Sequence, residues 1–291
     1  MTVVLLLGAG GQLGQEIVAR APAAKIAVVA RTRRDTDIAD RDVVAAALRA
    51  AKPSVVINAA AYTKVDRAES EQDEAHRTNV TGAGIIAEAC GAAGVPLIHL
   101  STDYVFDGAK PSPYVETDPT NPLGVYGATK LAGEQAIRAR HDKHLIVRTS
   151  WVYGIYGANF LKTILRLADQ RDELRIVADQ YGSPTSTRDL ADILLQLAPR
   201  LRDGAPWGTY HLTGEGAATW HGFAAEILKA RETRTGKATR LTPIATADYP
   251  TAARRPANSV LDNALFRATF GLKARPWREA ARETVDGLLG H

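Results

Sequence analysis

Through the first 150 residues, short apolar runs rich in β-branched side chains alternate with longer stretches in which apolar residues recur every three or four positions. A short run that is apolar throughout reads as a strand buried on both faces, and an amphipathic stretch of ten or more residues reads as a helix laid across it. This pattern predicts strands at 3–7, 25–30, 54–58, 96–101 and 144–149. Asp40 stands as the N-cap of a helix whose apolar face carries Val43, Val44, Ala47 and Leu48, with Pro53 as its stop. Segments 69–93 and 126–140 supply the next crossover helices. Repeated strand–helix–strand units build a parallel sheet covered on both faces, and any ligand of such a sheet lies at the C-terminal ends of the strands.

The expected fold class is therefore α/β, a Rossmann-type doubly wound parallel sheet. Beyond Ser150 the pattern loosens into shorter elements punctuated by Gly and Pro, with one further strand expected at 209–212 and a closing amphipathic helix at 277–289. We expect residues 1–152 to form a cofactor-binding domain, 187–213 to return to it, and 153–291 to form a smaller, interleaved α/β substrate domain. A chain of 291 residues, 45% hydrophobic and 23% charged, can bury an ample core, which excludes a disordered chain or a stapled mini-protein. Its lone cysteine, Cys90, excludes an internal disulfide and fits a reducing, cytoplasmic setting. The net charge of +4 is spread along the chain, so a phosphate-bearing small molecule suits it better than nucleic acid, and no apolar run is long enough to suggest a membrane partner.

Four segments carry chemistry. Gly8-Ala9-Gly10-Gly11-Gln12-Leu13-Gly14 follows the first strand and opens a helix. Glycines there let the backbone turn sharply and approach a pyrophosphate, while the helix N-terminus offers free N–H groups. Arg31-Thr32-Arg33-Arg34 follows the second strand, where a free ribose 2′-hydroxyl calls for an acidic residue; guanidinium groups there favour the 2′-phosphate of NADPH over NADH. Tyr126 and Lys130 are four residues apart, hence on one helix face, and an ammonium beside a phenol is expected to lower its pKa and make it a proton donor. Ser101-Thr102-Asp103-Tyr104-Val105-Phe106 leaves another strand at the same edge, so its hydroxyls can bond a substrate carbonyl. Spacing alone proves none of this, because strand ends commonly use Ser and Thr for capping and Tyr–Lys pairs arise by chance.

With Asn58-Ala59-Ala60-Ala61 added, these segments resemble the extended short-chain dehydrogenases/reductases. Within them, Asn58 to Asp66, Ser101 to Phe106, Arg148 to Tyr153, Asp179 to Thr185 and Tyr210-His211-Leu212 look like the dTDP-4-dehydrorhamnose reductase family, nearly end to end. The resemblance implies NADPH-dependent reduction of dTDP-4-dehydro-L-rhamnose to dTDP-L-rhamnose, with Tyr126 as proton donor, Lys130 holding the nicotinamide ribose, and Thr102 bonding the substrate oxygen. It implies a cofactor cleft made by Gly8, Gly10, Gly11, Gln12 and Leu13, by Arg31, Asp37 and Ile38, and by Ala59, Ala60, Ala61 and Thr63. Val65, Asp103, Tyr104 and Trp151 match positions that contact the sugar, and Asn159 and Arg255 are candidates for the nucleotide diphosphate.

Two departures refine the expectation. Dehydratases resembling this fold follow the threonine with a carboxylate pair, whereas Tyr104 fills the second position here, which favours net hydride transfer over elimination. Some reductases of the family dimerise through a magnesium ion held by glutamates; Glu16 is present, but Arg188 stands where a second would be, so no metal requirement and a monomer or weak homodimer are expected. His99, inside a strand, reads as a core residue rather than a ligand. A reductase of another nucleotide 4-ketosugar, or a non-catalytic NADP-binding regulatory subunit, remain the alternatives.

Overall fold

The computed structural model describes residues 2–290. Its centre is a six-stranded parallel sheet made of β1 (Val3–Leu7), β2 (Ala27–Arg31), β3 (Val55–Asn58), β4 (Leu97–Thr102), β5 (His144–Thr149) and β6 (Gly208–His211), in the order β6-β5-β4-β3-β1-β2. Strand order reverses at β1, so a crevice opens beyond its C-terminal end. The register sets Leu7 beside both Arg31 and Asn58, Asn58 beside His99, and Thr102 beside Thr149. One edge thus collects the glycine loop after β1, the arginine ending β2 and the hydroxyls ending β4.

The strands are apolar on both faces because both are covered. Val4, Leu6 and Ile57 pack against α1 (Gln12–Arg20) and a later helix at Thr187–Leu197. On the other face, Leu5, Leu7 and Val56 meet α2 (Arg41–Ala51) and α3 (Ala83–Ala93). The Asp40 carboxylate caps α2 by accepting from the N–H groups of Asp42 and Val43, and the helix ends at Lys52, in the left-handed region one residue before Pro53. After α4 (Val125–Arg138) and β5, the chain forms α5 (Phe160–Ala168), then α6 (Thr187–Leu197), which packs on α1, then β6 and α7 (Trp220–Thr235). It closes with α8 (Ala264–Phe270) and α9 (Trp277–Leu289). A second core of Leu161, Ile164, Phe223, Ile227 and Trp277 lies among α5, α7 and α9, beside a parallel pair of strands at Glu173–Val177 and Arg240–Ile244.

The first and fifth strands and the closing helix have the expected bounds. The second strand starts later because Lys25 turns at a φ of 56° before it can extend. The helix expected at 69–93 runs from Gln72 to Ala93, with a wider π-type stretch at Arg77–Gly82 between Gln72–His76 and α3, and a separate short helix, Val65–Ala68, precedes it. The π stretch brings Asn79 inward, where its side chain accepts from Tyr62 N–H at 2.9 Å and donates to Thr129 Oγ1 of α4 at 3.1 Å. Wide turns of this kind recur beside functional sites. Among the described residues, no helix is long and apolar enough to cross a membrane.

Candidate functional site

A cleft of about 1000 Å³ runs from the glycine loop, past the ends of β3, β4 and β5, to the wall formed by α5 and α7. Its floor at one end is Gly10, Gly11, Gln12 and Leu13. The loop leaves β1 through Gly8, at a φ of 87°, and a side chain at Gly8 would strike the Ala60 backbone 2.5 Å away. A Cβ at Gly14 would meet Gly8 O at 2.3 Å, so helix and loop touch directly. By contrast, the space above Gly10 holds nothing nearer than the Thr32 side chain at 3.9 Å. No side chain caps the start of α1 at Gly11. Its N–H groups are available to an anion, which fits a pyrophosphate.

Thr102, Tyr126 and Lys130 line the middle of the same cleft. Thr102 ends β4; its hydroxyl accepts from Tyr104 N–H at 3.2 Å and donates to Asp103 Oδ1 at 3.0 Å. Tyr126 and Lys130 project from one face of α4, whose close approach to the Thr102–Tyr104 turn needs Gly127: a Cβ there would lie 2.1 Å from Tyr104 O. Tyr104 meets Tyr126 edge to face, with ring centroids 5.6 Å apart. Burial pushes the Tyr126 phenol up to about 12, with the Thr102 hydroxyl pulling the other way and the Asp103 charge adding to the rise. The expected lowering by the Lys130 ammonium is therefore corrected: the same burial brings Lys130 itself down to about 8, against the opposing pull of Glu134. Desolvation outweighs mutual attraction here. A phenol held protonated in this way can still donate to a strong base such as an alkoxide.

Val65, Asp103, Tyr104, Trp151, Asn159 and Arg255 also line the cleft. Asp103 is buried, its Oδ2 has no partner, and burial pushes its carboxyl up to about 7. Trp151 sits at a φ of 44°, unusual for a bulky residue, and its indole stacks on Trp220 at 3.5 Å. Arg255 makes a two-pronged pair with Asp66, at 2.6 and 2.7 Å, and Asn159 caps α5 while donating to Gln12 Oε1 at 2.9 Å and to Gly154 O at 2.8 Å. Both side chains are thus committed to protein partners and tie the two ends of the cleft together.

Ala59, Ala61 and Thr63 reach the cleft wall, whereas Gly8, Arg31, Asp37, Ile38 and Ala60 do not line it. Arg31 ends β2, where its carbonyl accepts from the N–H groups of Gly8 and Ala9; its Nε is buried and has no partner. An unpaired guanidinium nitrogen beside the glycine loop fits the 2′-phosphate expected there. Asp37 is paired with Arg77 at 2.6 Å, which holds its carboxyl low, and Ile38 packs under Gly82. Glu16 is buried and Thr187 bonds to it, while Arg188 pairs with Glu283 and still lies near enough for its charge to act on Glu16.

Sequence reasoning did not find the far wall. Phe160 and Trp220 form an aromatic cluster with Trp151, and Arg171, Arg175 and Tyr249 stand at the mouth. They come from four separate segments, so no spacing could have signalled them. A charged group beneath the site was missed as well: Glu134, one turn beyond Lys130, is fully buried and accepts from Arg148 at 2.8 and 2.9 Å and from Ser101 at 2.6 Å. Its i,i+4 place on the helix of Lys130 was the available signal.

A family described as RmlD substrate binding domain matches residues 1–289. A dTDP-4-dehydrorhamnose reductase of Sinorhizobium fredii is 45% identical over 285 residues, covering 97% of this chain and 96% of its own. Two solved structures of dTDP-4-dehydrorhamnose reductases superpose nearly end to end. The one from Clostridium acetobutylicum has a TM-score of 0.92 at 40% identity, covering 99% of each chain. The one from Bacillus anthracis, in complex with NADP, has 0.91 at 36%, covering 98% of this chain and 99% of that one. Glycine loop, hydroxyl-bearing strand end and Tyr–Lys helix thus stand in a frame that these relatives share over their whole length, and the chain belongs to the RmlD substrate-binding-domain family.

Proposed function

We propose that the protein reduces the 4-keto group of dTDP-4-dehydro-L-rhamnose to give dTDP-L-rhamnose, the last step in making that activated sugar, with NADPH as reductant. The observation that carries this reading is the convergence of Thr102, Tyr126 and Lys130 with the Gly10–Leu13 loop in one cleft. Gly8, Gly10, Gly11, Gln12 and Leu13 would hold the pyrophosphate, Arg31 the 2′-phosphate, Asp37 and Ile38 the adenine side, and Ala59, Ala60, Ala61 and Thr63 the remaining wall. NADPH, when bound, supplies the hydride. A ketone that receives hydride leaves negative charge on its oxygen, and hydroxyl donors aimed at that oxygen stabilise it. Thr102 and Tyr126 are those donors, and Tyr126 then gives up its proton. Val65, Asp103, Tyr104 and Trp151 would hold the sugar, with Asn159 and Arg255 toward the nucleotide. Asp103, near neutrality in its buried place, can accept from or donate to a sugar hydroxyl.

Residues 1–152 with 187–213 would serve the cofactor, and 153–291 the sugar nucleotide. Arg188 beside Glu16 disfavours a bound cation, so activity should survive chelation. A monomer or weak homodimer in the cytoplasm suits a chain whose one cysteine is free and buried. Purified protein given the dTDP-ketosugar should consume NADPH at an unchanged rate in EDTA, and product NMR should show the rhamno configuration. No NADPH consumption with any nucleotide 4-ketosugar would leave the cofactor-holding subunit as the reading, and turnover only of a different nucleotide 4-ketosugar would assign that substrate instead.

A further inference from the structure

Three buried side chains stand in a row beneath the cleft: Asn58 at the end of β3, His99 in β4 and Lys130 on α4, none more than 2% exposed. Their hydrogen bonds fix one another's protons. Ala60 N–H lies 3.0 Å from the oxygen end of the Asn58 amide. A backbone N–H can only donate, so that end must be the oxygen and the other end the NH₂. The NH₂ faces His99 Nδ1 at 3.0 Å, and Nδ1 must therefore accept with a bare lone pair. Burial holds His99 well below its usual pKa, so the ring is neutral and its one proton sits on Nε2. Nε2 lies 3.3 Å from Lys130 Nζ.

An ammonium has three donors and no lone pair. If Lys130 is charged, one contact in the row sets donor against donor: Nε2–H against the ammonium, or Nδ1–H against the Asn58 amide. An uncharged amine removes the conflict, accepting from His99 Nε2–H and donating to Leu100 O at 2.7 Å. We infer that His99, held as its Nε2–H tautomer by Asn58, is a positioning residue that stabilises the amine form of Lys130 by donating Nε2–H to Nζ.

Other charged groups near Lys130 act differently. Glu134, one turn further along α4, favours the ammonium, but its charge is shared by the guanidinium of Arg148 on β5 and that of Arg138 on α4. Tyr126 lies one turn earlier and is protonated near neutrality. His144 on β5 acts on His99 and is itself kept low by burial. Burial of Lys130 pushes in the same direction as the His99 contact. For the reaction proposed above, an amine that can take up a proton beside Tyr126 leaves the phenol neutral until charge develops on the substrate oxygen. Only this consequence rests on that reading; the proton assignments do not.

The test is NMR of the full-length protein without ligands. With ¹⁵N-labelled histidine, the ring of His99 should show Nδ1 bare and Nε2 protonated at about pH 9.5, above the Lys130 midpoint, where the lysine is an amine; a protonated Nδ1 there overturns the inference. With ¹³Cε-labelled lysine, Lys130 should titrate at least two units below the usual lysine value of about 10.4. His99→Phe, which keeps the ring volume and removes the donor, should raise that midpoint by about one unit, a tenfold gain in proton affinity. An unmoved midpoint would show that burial alone sets it, and would overturn the assignment. Should the variant not fold, the wild-type tautomer and midpoint still decide. None of these readouts requires turnover, so loss of the sugar-reductase reading would leave them standing.

Discussion

Tyr126 is the residue on which chemistry depends most directly, because its phenol lines the cleft and stays protonated across the working pH range. Tyr126→Phe keeps the ring and its edge contact with Tyr104 but removes the proton, and should lower kcat about 10²- to 10⁴-fold with the fold intact. Steady-state NADPH oxidation and circular dichroism check both halves. Asp103 gives a pH signature. Its carboxyl rises from an ordinary 3.8 to about 7 on folding, so the native state holds the proton more tightly than the unfolded chain. That contribution is complete below about pH 4 and is lost as pH climbs through 7. Wild-type thermal stability should therefore fall between pH 5 and pH 8, and Asp103→Asn should flatten the fall; equal slopes would show that the carboxyl titrates normally. Arg31→Ala should weaken NADPH at least tenfold and NADH little, read by fluorescence titration. Thr102, Tyr126, Lys130 and the glycine loop were legible because their chemistry and local spacing coincide. His99 was legible only as a buried ring, since the partners of its two nitrogens come from a neighbouring strand and a distant helix.

At the scale of elements, the site depends on how closely α4 sits on the turn after β4. Gly127→Ala would set a methyl 2.1 Å from Tyr104 O and 2.9 Å from Pro122 Cβ, neither of which belongs to a free side-chain end. Overpacking of this kind costs about 1–3 kcal/mol and shifts backbone. Because the shift would separate Tyr126 from Thr102, activity should fall further than stability, by about 10²-fold. A urea melt and kcat/KM measured on one preparation check this, and equal activity would mean that the helix tolerates displacement. Sequence periodicity located α4 and the main strands within a residue or two, because each carries a continuous apolar face. At 69–93 it found the helix, which runs from Gln72 to Ala93, but not the π widening inside it. The π turn is stabilised by Asn79 bridging Tyr62 and Thr129, a long-range contact with no local trace.

Across the whole molecule, the cofactor side cannot be separated from the C-terminal half of the chain. Leu190, Ile193, Leu194 and Leu197 of α6 complete the core over Leu13 and Ile17 of α1, and β6 covers the outer edge of β5. Phe266 of α8 and Ala274 enter the same core from the far end of the sequence. A return of the chain near 209–212 was readable from the flanking glycines, but its partner strand was not, because pairing depends on register rather than on composition. The interleaving makes a definite prediction. A fragment ending at residue 152 would expose the apolar face of α1 and an unpaired edge on β5, both of which favour association. It should aggregate or melt without a cooperative transition, whereas the full chain should unfold in a single step, by calorimetry and by circular dichroism alike. A monomeric 1–152 fragment with a sharp transition would mean that the sheet is self-sufficient at five strands and that α6 and β6 are additions to a complete core.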